Sequence, residues 1–400
     1  MNTHRPGVVG LATLLALSFI LIPACLPGGG GGLFWNPIDE DFSRPSPQPA
    51  VQGALRRACS DTTPPDQHFQ TEVAFEHALC LCGDLENVGQ GLLTRSRSYA
   101  LGNDGGFAHV GVNGAISVVG HFDIDGDLNV ARGIDGVGDL GVEGNLLCGN
   151  DVDVVGNWNV NGDAWIDGDL SGVGSIDING DLYLTGDLSA VGNVSYGDGH
   201  KGFTYAGQPC GCGANQLIDV PAEIARHKAD NDNDRIPGGI GSDSLVLDSG
   251  DYYFDDPADF VGARSITVRG RVAVYVDGDL STVGNLNIDV QPGAELALWV
   301  TGRVETVGNL KLAAGDSDRP RAFKLFMGGR GSSIVNVGNA TFIGSIYAPE
   351  VDIEYVGNLE VQGSLFANNL SGTGNLTVTY DTDVAAPPAC VDEHYQVQND

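Results

Sequence analysis

Apolar and polar residues alternate along most of this chain, and glycine interrupts the alternation at regular intervals. Between about residues 114 and 192 the unit is apolar, any, apolar, any, Gly, then Asp or Asn. Examples are LGVEGN (140–145), VDVVGN (152–157), WNVNGD (158–163), AWIDGD (164–169), IDINGD (176–181) and LYLTGD (182–187). Such alternation predicts short strands with one buried face. The Gly-Asp or Gly-Asn predicts a corner, because glycine adopts positive φ freely and an Asx side chain bonds local backbone.

These hexads group into an 18-residue repeat. Glycines fall at 120, 138, 156, 174 and 192, and a second series falls at 126, 144, 162 and 180. Three strands and three corners therefore make one rung of a roughly triangular parallel β-helix, which we expect to be right-handed. Every third corner begins with Val-Gly, which predicts a valine ladder along one edge: Val119, Val137, Val155, Val173 and Val191. Each rung buries few side chains, so stability depends on stacking of neighbouring rungs.

The repeat fades after about residue 196 and resumes near residue 245. In the second block the corner glycines at 284, 308, 338, 357 and 374 are 24, 30, 19 and 17 residues apart, so we expect longer or interrupted rungs there. The predicted fold is all-β, with solenoid blocks over 59–196 and 245–385. A connector over 197–244 carries cysteines and a short helix around Ile218 to Lys228, and a tail over 386–400 leaves the solenoid.

The N-terminus has the features of an export signal. Arg5 precedes an apolar stretch from Val8 to Ile22 that is too short for a stable membrane span. The sequence Ile22-Pro23-Ala24-Cys25 resembles a bacterial lipobox, which predicts a signal peptide over 1–24 and a lipidated Cys25. The Gly- and Pro-rich stretch over 25–58 predicts a flexible tether. Leu26 rather than Asp after the cysteine favours the outer membrane or cell surface. The alternative is an ordinary signal peptide that leaves Cys25 unmodified.

Seven further cysteines remain. Cys80/Cys82 and Cys210/Cys212 form two Cys-x-Cys pairs that flank the first block, and Cys59 and Cys390 lie outside the repetitive body. Four thiolates could bind zinc, but the one-residue spacing is shorter than usual. Disulfides among these six cysteines are favoured in an oxidising compartment, with pairing left open. Cys148 occupies an inward repeat position, which predicts a buried free thiol.

The charge balance narrows the classes of partner. There are 52 acidic and 20 basic residues, for a net charge of −32. Nucleic acid is excluded, because phosphate contacts need clustered Lys and Arg. The acidity fits either a solvated surface or cation binding. Asp230, Asp232 and Asp234 have the alternate spacing of a calcium loop, although Arg235 and Gly241 replace the expected glycine and glutamate. The alternative is an acidic turn that caps the helix and starts the second block.

Motifs for catalysis are weak in this sequence. Both blocks are poor in basic residues, no nucleophile elbow occurs, and the eight histidines have no metal-ligand spacing. We therefore predict no catalytic residues and no cofactor other than calcium. Aromatic side chains could bind glycans. Trp158 is on the inward phase and is expected in the core. Trp165 and Tyr183 are on the outward phase and are the better candidates for exposed residues, and Trp299 is a further candidate.

The second block resembles a known family. GDYYFDD (250–256), RVAVYVDGDL (271–280), FIGSIYAPEVDI (342–353) and VQGSLFANNL (361–370) look like a β-solenoid domain of unknown function found in bacterial surface lipoproteins and pilus-associated proteins. The most specific part is IYAP at 346–349 followed by GSLFA at 363–367. The family's closing His-Tyr-Asp is Thr379-Tyr380-Asp381 here, so no role for that histidine carries over. The 18-residue rungs are more loosely similar to those of bactofilins.

These observations together favour a cell-surface structural or adhesion lipoprotein with a rigid solenoid. The alternatives are a calcium- or glycan-binding surface module and a carbohydrate-active enzyme with paired carboxylates. The expected partners are the membrane, through the N-terminal lipid, and an envelope polysaccharide or surface protein. Because the edges of the end rungs are exposed, end-to-end association with a second copy of the chain is a further possibility.

Overall fold

The computed structural model of this protein describes residues 75–98, 103–104, 106–205, 207–238, 244–255, 265–283, 288–307, 310–313, 320–329, 331–382 and 384. The predictions for the signal peptide, the tether, Cys25, Cys59, Cys390 and the tail lie outside these residues.

The first block consists mostly of short strands that end at glycine-containing corners, with longer strands at β2 and β5. They are β1 (Leu79–Leu81), β2 (Leu85–Ser98), β3 (Asn103–Asp104), β4 (Val110–Val112), β5 (Ile116–Ile124), β6 (Leu128–Val130), β7 (Ile134–Val137), β8 (Leu140–Val142), β9 (Leu146–Cys148), β10 (Val152–Val155), β11 (Trp158–Val160), β12 (Ala164–Ile166), β13 (Leu170–Val173), β14 (Ile176–Ile178), β15 (Leu182–Leu184), β16 (Leu188–Val191), β17 (Val194–Ser195) and β18 (Gly199–Lys201).

The connector and the second block follow. Helix α1 (Val220–His227) and a 3-10 turn (Asn233–Arg235) precede β19 (Ser244–Leu247), β20 (Gly250–Phe254), β21 (Ser265–Val268), β22 (Arg271–Val276), β23 (Leu280–Val283), β24 (Ile288–Val290), β25 (Glu295–Val300), β26 (Val304–Val307), β27 (Leu310–Ala313), a second 3-10 turn (Pro320–Ala322), β28 (Phe323–Met327), β29 (Ser333–Ala348), β30 (Asp352–Ala367) and β31 (Leu370–Asp381). Asp219 begins α1 by accepting a hydrogen bond from the Ala222 amide at 3.0 Å, with Pro221 in the first turn.

The strand register confirms the parallel β-helix. In the first block Val137, Val155 and Val173 pair in parallel with the residue 18 positions later, as the repeat predicts. In the second block the steps are irregular: Leu280 pairs with Val304, Val304 with Ile334, Ile334 with Ile353 and Ile353 with Leu370. Those steps match the unequal glycine spacing. Within the described residues the one antiparallel pairing joins β2 to β3.

The two blocks form one continuous solenoid in which the chain order is reversed. Strand β2, near the start of the first block, pairs in parallel with β31, the last strand of the second block, on one side and with β5 on the other. Likewise β1 lies between β30 and β4. The second block therefore comes first in space, and the first block continues from its final rung.

This order requires the connector to run back along the outside of the solenoid. The Tyr205 hydroxyl donates to Asn129 Oδ1 at 2.6 Å, Cys210 is bonded to Cys80, and the Ile218 amide donates to the Tyr347 hydroxyl at 2.8 Å. Farther on, α1 packs against β25, β22 and β20. We call residues 202–236 the return segment. Its helix is too short and too polar to cross a bilayer, and the same holds for every other described helix.

Two hydrophobic cores hold the fold. The first fills the solenoid with inward side chains, including Trp158 at 2% exposure, which confirms its predicted position. The second lies outside the sheet and beneath the return segment. There α1 covers part of a column of outward side chains that stack from rung to rung. The column consists of Tyr253, Tyr275, Trp299, Phe326, Tyr347 and Phe366. Ring centroids of Trp299 and Phe326 lie 4.1 Å apart.

Candidate functional site

The acids at the Gly-Asp corners form ladders of hydrogen bonds between rungs. Asp127 Oδ1 accepts from the Asn145 amide at 2.8 Å, Asn145 Oδ1 from the Asp163 amide at 3.0 Å and Asp163 Oδ1 from the Asp181 amide at 2.8 Å. A parallel ladder joins Asp151, Asp169 and Asp187. We expected these side chains to bond their own local backbone, but each bonds the next rung instead. One carboxylate oxygen of Asp127, Asp151, Asp163 and Asp169 is therefore committed to structure.

The calcium loop predicted at Asp230, Asp232 and Asp234 is not assembled. Asp232 Oδ2 accepts from the Asp251 amide at 3.0 Å, and its Oδ1 lies 3.1 Å from the Arg235 guanidinium. These contacts lower the pKa of Asp232. Asp230 and Asp234 are exposed, and the described residues contain no group of three or more acidic, His or Cys side chains that could bind a metal. The segment instead bonds to β20 in the first rung of the second block.

Three of the four aromatic residues considered for glycan binding are buried. Trp165 and Trp299 are 4% and 3% exposed, although both point outward from the sheet. The expectation of an exposed Trp165 was wrong because the return segment passes over that face, where the Tyr205 amide donates to Asp167 Oδ2 at 2.9 Å. Tyr183 is half-buried and stacks between Trp165 and His200, with ring centroids 5.2 and 4.6 Å apart.

The cysteines of the two Cys-x-Cys pairs form two disulfides, Cys80–Cys210 and Cys82–Cys212, each with a Cα–Cα distance of 5.7 Å. They join the first strand of the first block to the return segment, and zinc is not needed to explain the spacing. Cys148 is a buried free thiol, as predicted. Burial raises its pKa to about 12.

A column of exposed valines follows one edge of the solenoid. Val337 pairs with Val356, Val88 with Val119, and the pairing continues to Val191. Each valine in this column is between 47% and 72% exposed. Thr373 replaces valine where the two blocks meet. This valine ladder confirms the sequence prediction and extends it into the second block.

A shallow groove of about 560 Å³ lies at the break in the valine ladder. Gly372 provides no side chain there, and the ring of Tyr355 occupies the space beneath it. The Tyr355 hydroxyl donates to Asn87 Oδ1 at 3.1 Å, and burial raises the pKa of Tyr355. Asn87 is 2% exposed, and its Nδ2 has no hydrogen-bond partner among the described residues. Glu86 and Glu354 lie on the rim.

Sequence reasoning missed this groove. Asn87 and Tyr355 are 268 residues apart and meet only because the second block stacks on the first. The one available signal was the replacement of the repeating apolar inward residue by a polar one in Leu85-Glu86-Asn87-Val88-Gly89.

Comparison with known proteins gives one family match. Residues 213–386 match the model of a domain of unknown function, DUF7305. The match covers most of the return segment and the second block, and its description assigns no activity. No curated protein and no solved structure matches the chain.

Proposed function

We propose that this protein is a membrane-anchored cell-surface lipoprotein of structural or adhesion type, with its solenoid as a rigid scaffold. The observation that carries the proposal is the single uninterrupted β-helix, in which β2 joins both blocks by parallel pairing on its two sides. Continuous main-chain pairing makes such a body stiff along its axis.

The return segment adds a second reason for stiffness. It runs beside the solenoid, buries an aromatic column and is joined to β1 by two disulfides. Disulfides persist in an oxidising compartment outside the cytosol, which agrees with the export signal predicted from the sequence. The lipobox at Cys25 would then anchor the scaffold through the Gly- and Pro-rich tether.

The anchoring part of the proposal is tested with Cys25→Ser. The unsubstituted chain is expected in the membrane fraction and accessible to protease on intact cells, whereas the variant is expected in the soluble exported fraction with both solenoid disulfides formed. A variant that stays membrane-bound would refute lipid anchoring.

The structural role is tested by deletion in the organism that encodes the protein. We expect altered surface attachment or envelope properties, restored by the unsubstituted chain. Turnover of an envelope polysaccharide by the purified body would overturn the proposal in favour of an enzyme.

A second candidate function is binding of a saccharide in the groove at the block junction. The specific observation is Asn87, whose buried Nδ2 lacks a partner among the described residues, beside a rim of Glu86 and Glu354. Sugar hydroxyls would donate to the carboxylates, and sugar C–H groups would pack on Val88 and Val356.

Calorimetry with envelope polysaccharides tests this candidate. Binding should be lost in the Glu86→Gln, Glu354→Gln double variant and retained in Asp135→Asn, which changes the same outward column farther along the solenoid. Equal binding by the two variants would place the ligand elsewhere.

A further inference from the structure

The two ends of the solenoid differ, beginning with a capped end at β20. There the Asp232 amide donates to the Asp251 carbonyl at 2.6 Å, and the Tyr253 amide donates to Asn233 Oδ1 at 3.0 Å. Asn233 Nδ2 in turn donates to the Tyr253 carbonyl at 2.5 Å. Ile236 is buried in the solenoid core beside them. The segment 232–236 therefore bonds to the outer edge of β20, and Ile236 covers the apolar interior beside it.

The opposite end, formed by β16, β17 and β18, is open among the described residues. These strands pair with β13, β14 and β15 on one side, and no described strand pairs with them on the other. Leu188 and Val194 are half-buried, whereas their partners one rung inward, Leu170 and Ile176, are buried. After Lys201 the chain turns away from this end, since Tyr205 already contacts Asn129 and Asp167.

The rung at the open end carries no net charge, unlike the rungs before it. Residues 152–169 contain four acids and residues 170–187 contain three, with no Lys or Arg in either rung. Residues 188–201 contain one acid, Asp198, and one base, Lys201. In a chain of net charge −32, a second copy could approach this neutral rung without strong like-charge repulsion.

We propose that the open end is a docking surface for the open end of a second copy of this chain. Unpaired strand edges with a partly exposed core are templates for pairing with another strand. At the other end residues 232–236 already occupy the edge of β20, so we place the contact between like ends, about a two-fold axis. The result is a closed dimer of doubled length, not a filament, and it goes beyond the scaffold role proposed above.

The interface is small. One triangular rung offers less surface than the roughly 800 Å² per partner of a standard interface, so we expect a dissociation constant on the order of micromolar. Anchoring of both copies in one membrane would raise their effective concentration and favour the dimer.

The backbone of β16 supplies a selective test. The Asp187 and Val191 carbonyls accept from Leu170 and Gly174 on the inner side. Because successive residues of a strand alternate in direction, the Ala190 amide faces the open end. Ala190→Pro therefore removes a donor for the partner while it keeps the bonds to β13.

The experiment is sedimentation velocity on the full mature chain carrying Cys25→Ser, across concentrations that bracket the micromolar range. We expect a concentration-dependent dimer that is lost in Ala190→Pro and in Ala190→Asp. Val155→Asp, on the valine ladder two rungs from the open end, should dimerise like the parent, and circular dichroism should be unchanged for all three variants.

Three outcomes would overturn the proposal. The first is a parent chain that stays monomeric throughout the range, and the second is a dimer that persists in Ala190→Pro. The third is a monomer that dimerises only after deletion of residues 385–400, which would mean that the tail covers the open end.

Discussion

At the residue scale, the Gly-Asp corners serve the stacking of rungs more than the turning of the chain. Gly180 has a φ outside the left-handed region, but a Cβ there would lie 2.1 Å from Asp163 Oδ1. By contrast, Gly138 in a Val-Gly corner has φ of 142° and would place a Cβ 1.7 Å from the Gly120 carbonyl oxygen. Both corner types need glycine, for different reasons.

Removal of one ladder acid should destabilise the solenoid measurably. Asp163→Ala deprives the Asp181 amide of its acceptor, and we expect a loss of about 1 kcal/mol in the free energy of unfolding. Asp163→Asn keeps an acceptor and should stay close to the parent. Denaturant titration measures both. Asp153→Ala, at an exposed site on the flat face, is the control, and an equal loss there would argue against the ladder.

The Cys148 thiol should be inert while the protein is folded. Burial disfavours the thiolate and raises the pKa of Cys148 to about 12, so alkylation should be negligible at pH 8 and should appear only in denaturant. Peptide mass spectrometry after iodoacetamide treatment reports this site separately from the other cysteines. Labelling of Cys148 in the native protein at pH 8 would contradict its burial.

At the element scale, individual strands could be predicted from sequence but their neighbours could not. The alternation in WNVNGD gave both the strand β11 and its inward Trp158. Nothing local indicated that β2 would pair with β31, because that contact joins residues almost three hundred positions apart. The groove at Asn87 and the burial of Trp165 depend on such contacts, so the alternation of residues along the chain could not predict them.

The two disulfides should act non-additively on stability. Either bridge alone closes a loop that spans 130 residues, whereas the second bridge then closes a ring of only a few residues. Cys82→Ser with Cys212→Ser should therefore cost about 2 kcal/mol, and removal of both bridges more than twice that. Denaturant titration of the two single-bridge variants and the four-serine variant tests this. If the stability losses of the single-bridge variants simply add up to the loss in the four-serine variant, the return segment stays on the solenoid without the constraint that the bridges place on the long loop.

At the scale of the whole molecule, the reversed order of the blocks brings the first and last described residues, Phe75 and Val384, together in mid-solenoid. The Tyr380 hydroxyl donates to the Phe75 carbonyl at 2.8 Å, and Phe75 and Val384 belong to the same apolar cluster. The last rung of the second block stacks on the first rung of the first block, so each block covers one end of the other. Neither block alone has both of its end rungs covered.

This arrangement predicts that the chain tolerates circular permutation. A protein that starts at Ser244, runs to Val384, continues through a short Gly-Ser linker to Phe75 and ends at Gly238 keeps every strand pairing described above. It also places the two blocks in their spatial order. We expect it to melt within about 4 °C of the unpermuted 75–384 chain, which corresponds to roughly 1–2 kcal/mol.

A second permutant supplies the control. New termini between Ser345 and Ile346 interrupt β29, which pairs with β28 and β30 at that point, so this protein should melt far lower or fail to fold. If instead the first permutant fails while the second folds, the blocks are not stacked through β2 and β31. Because the first permutant changes only the connection and not the contacts, a melting temperature close to that of the unpermuted chain would support the stacking of the blocks through β2 and β31.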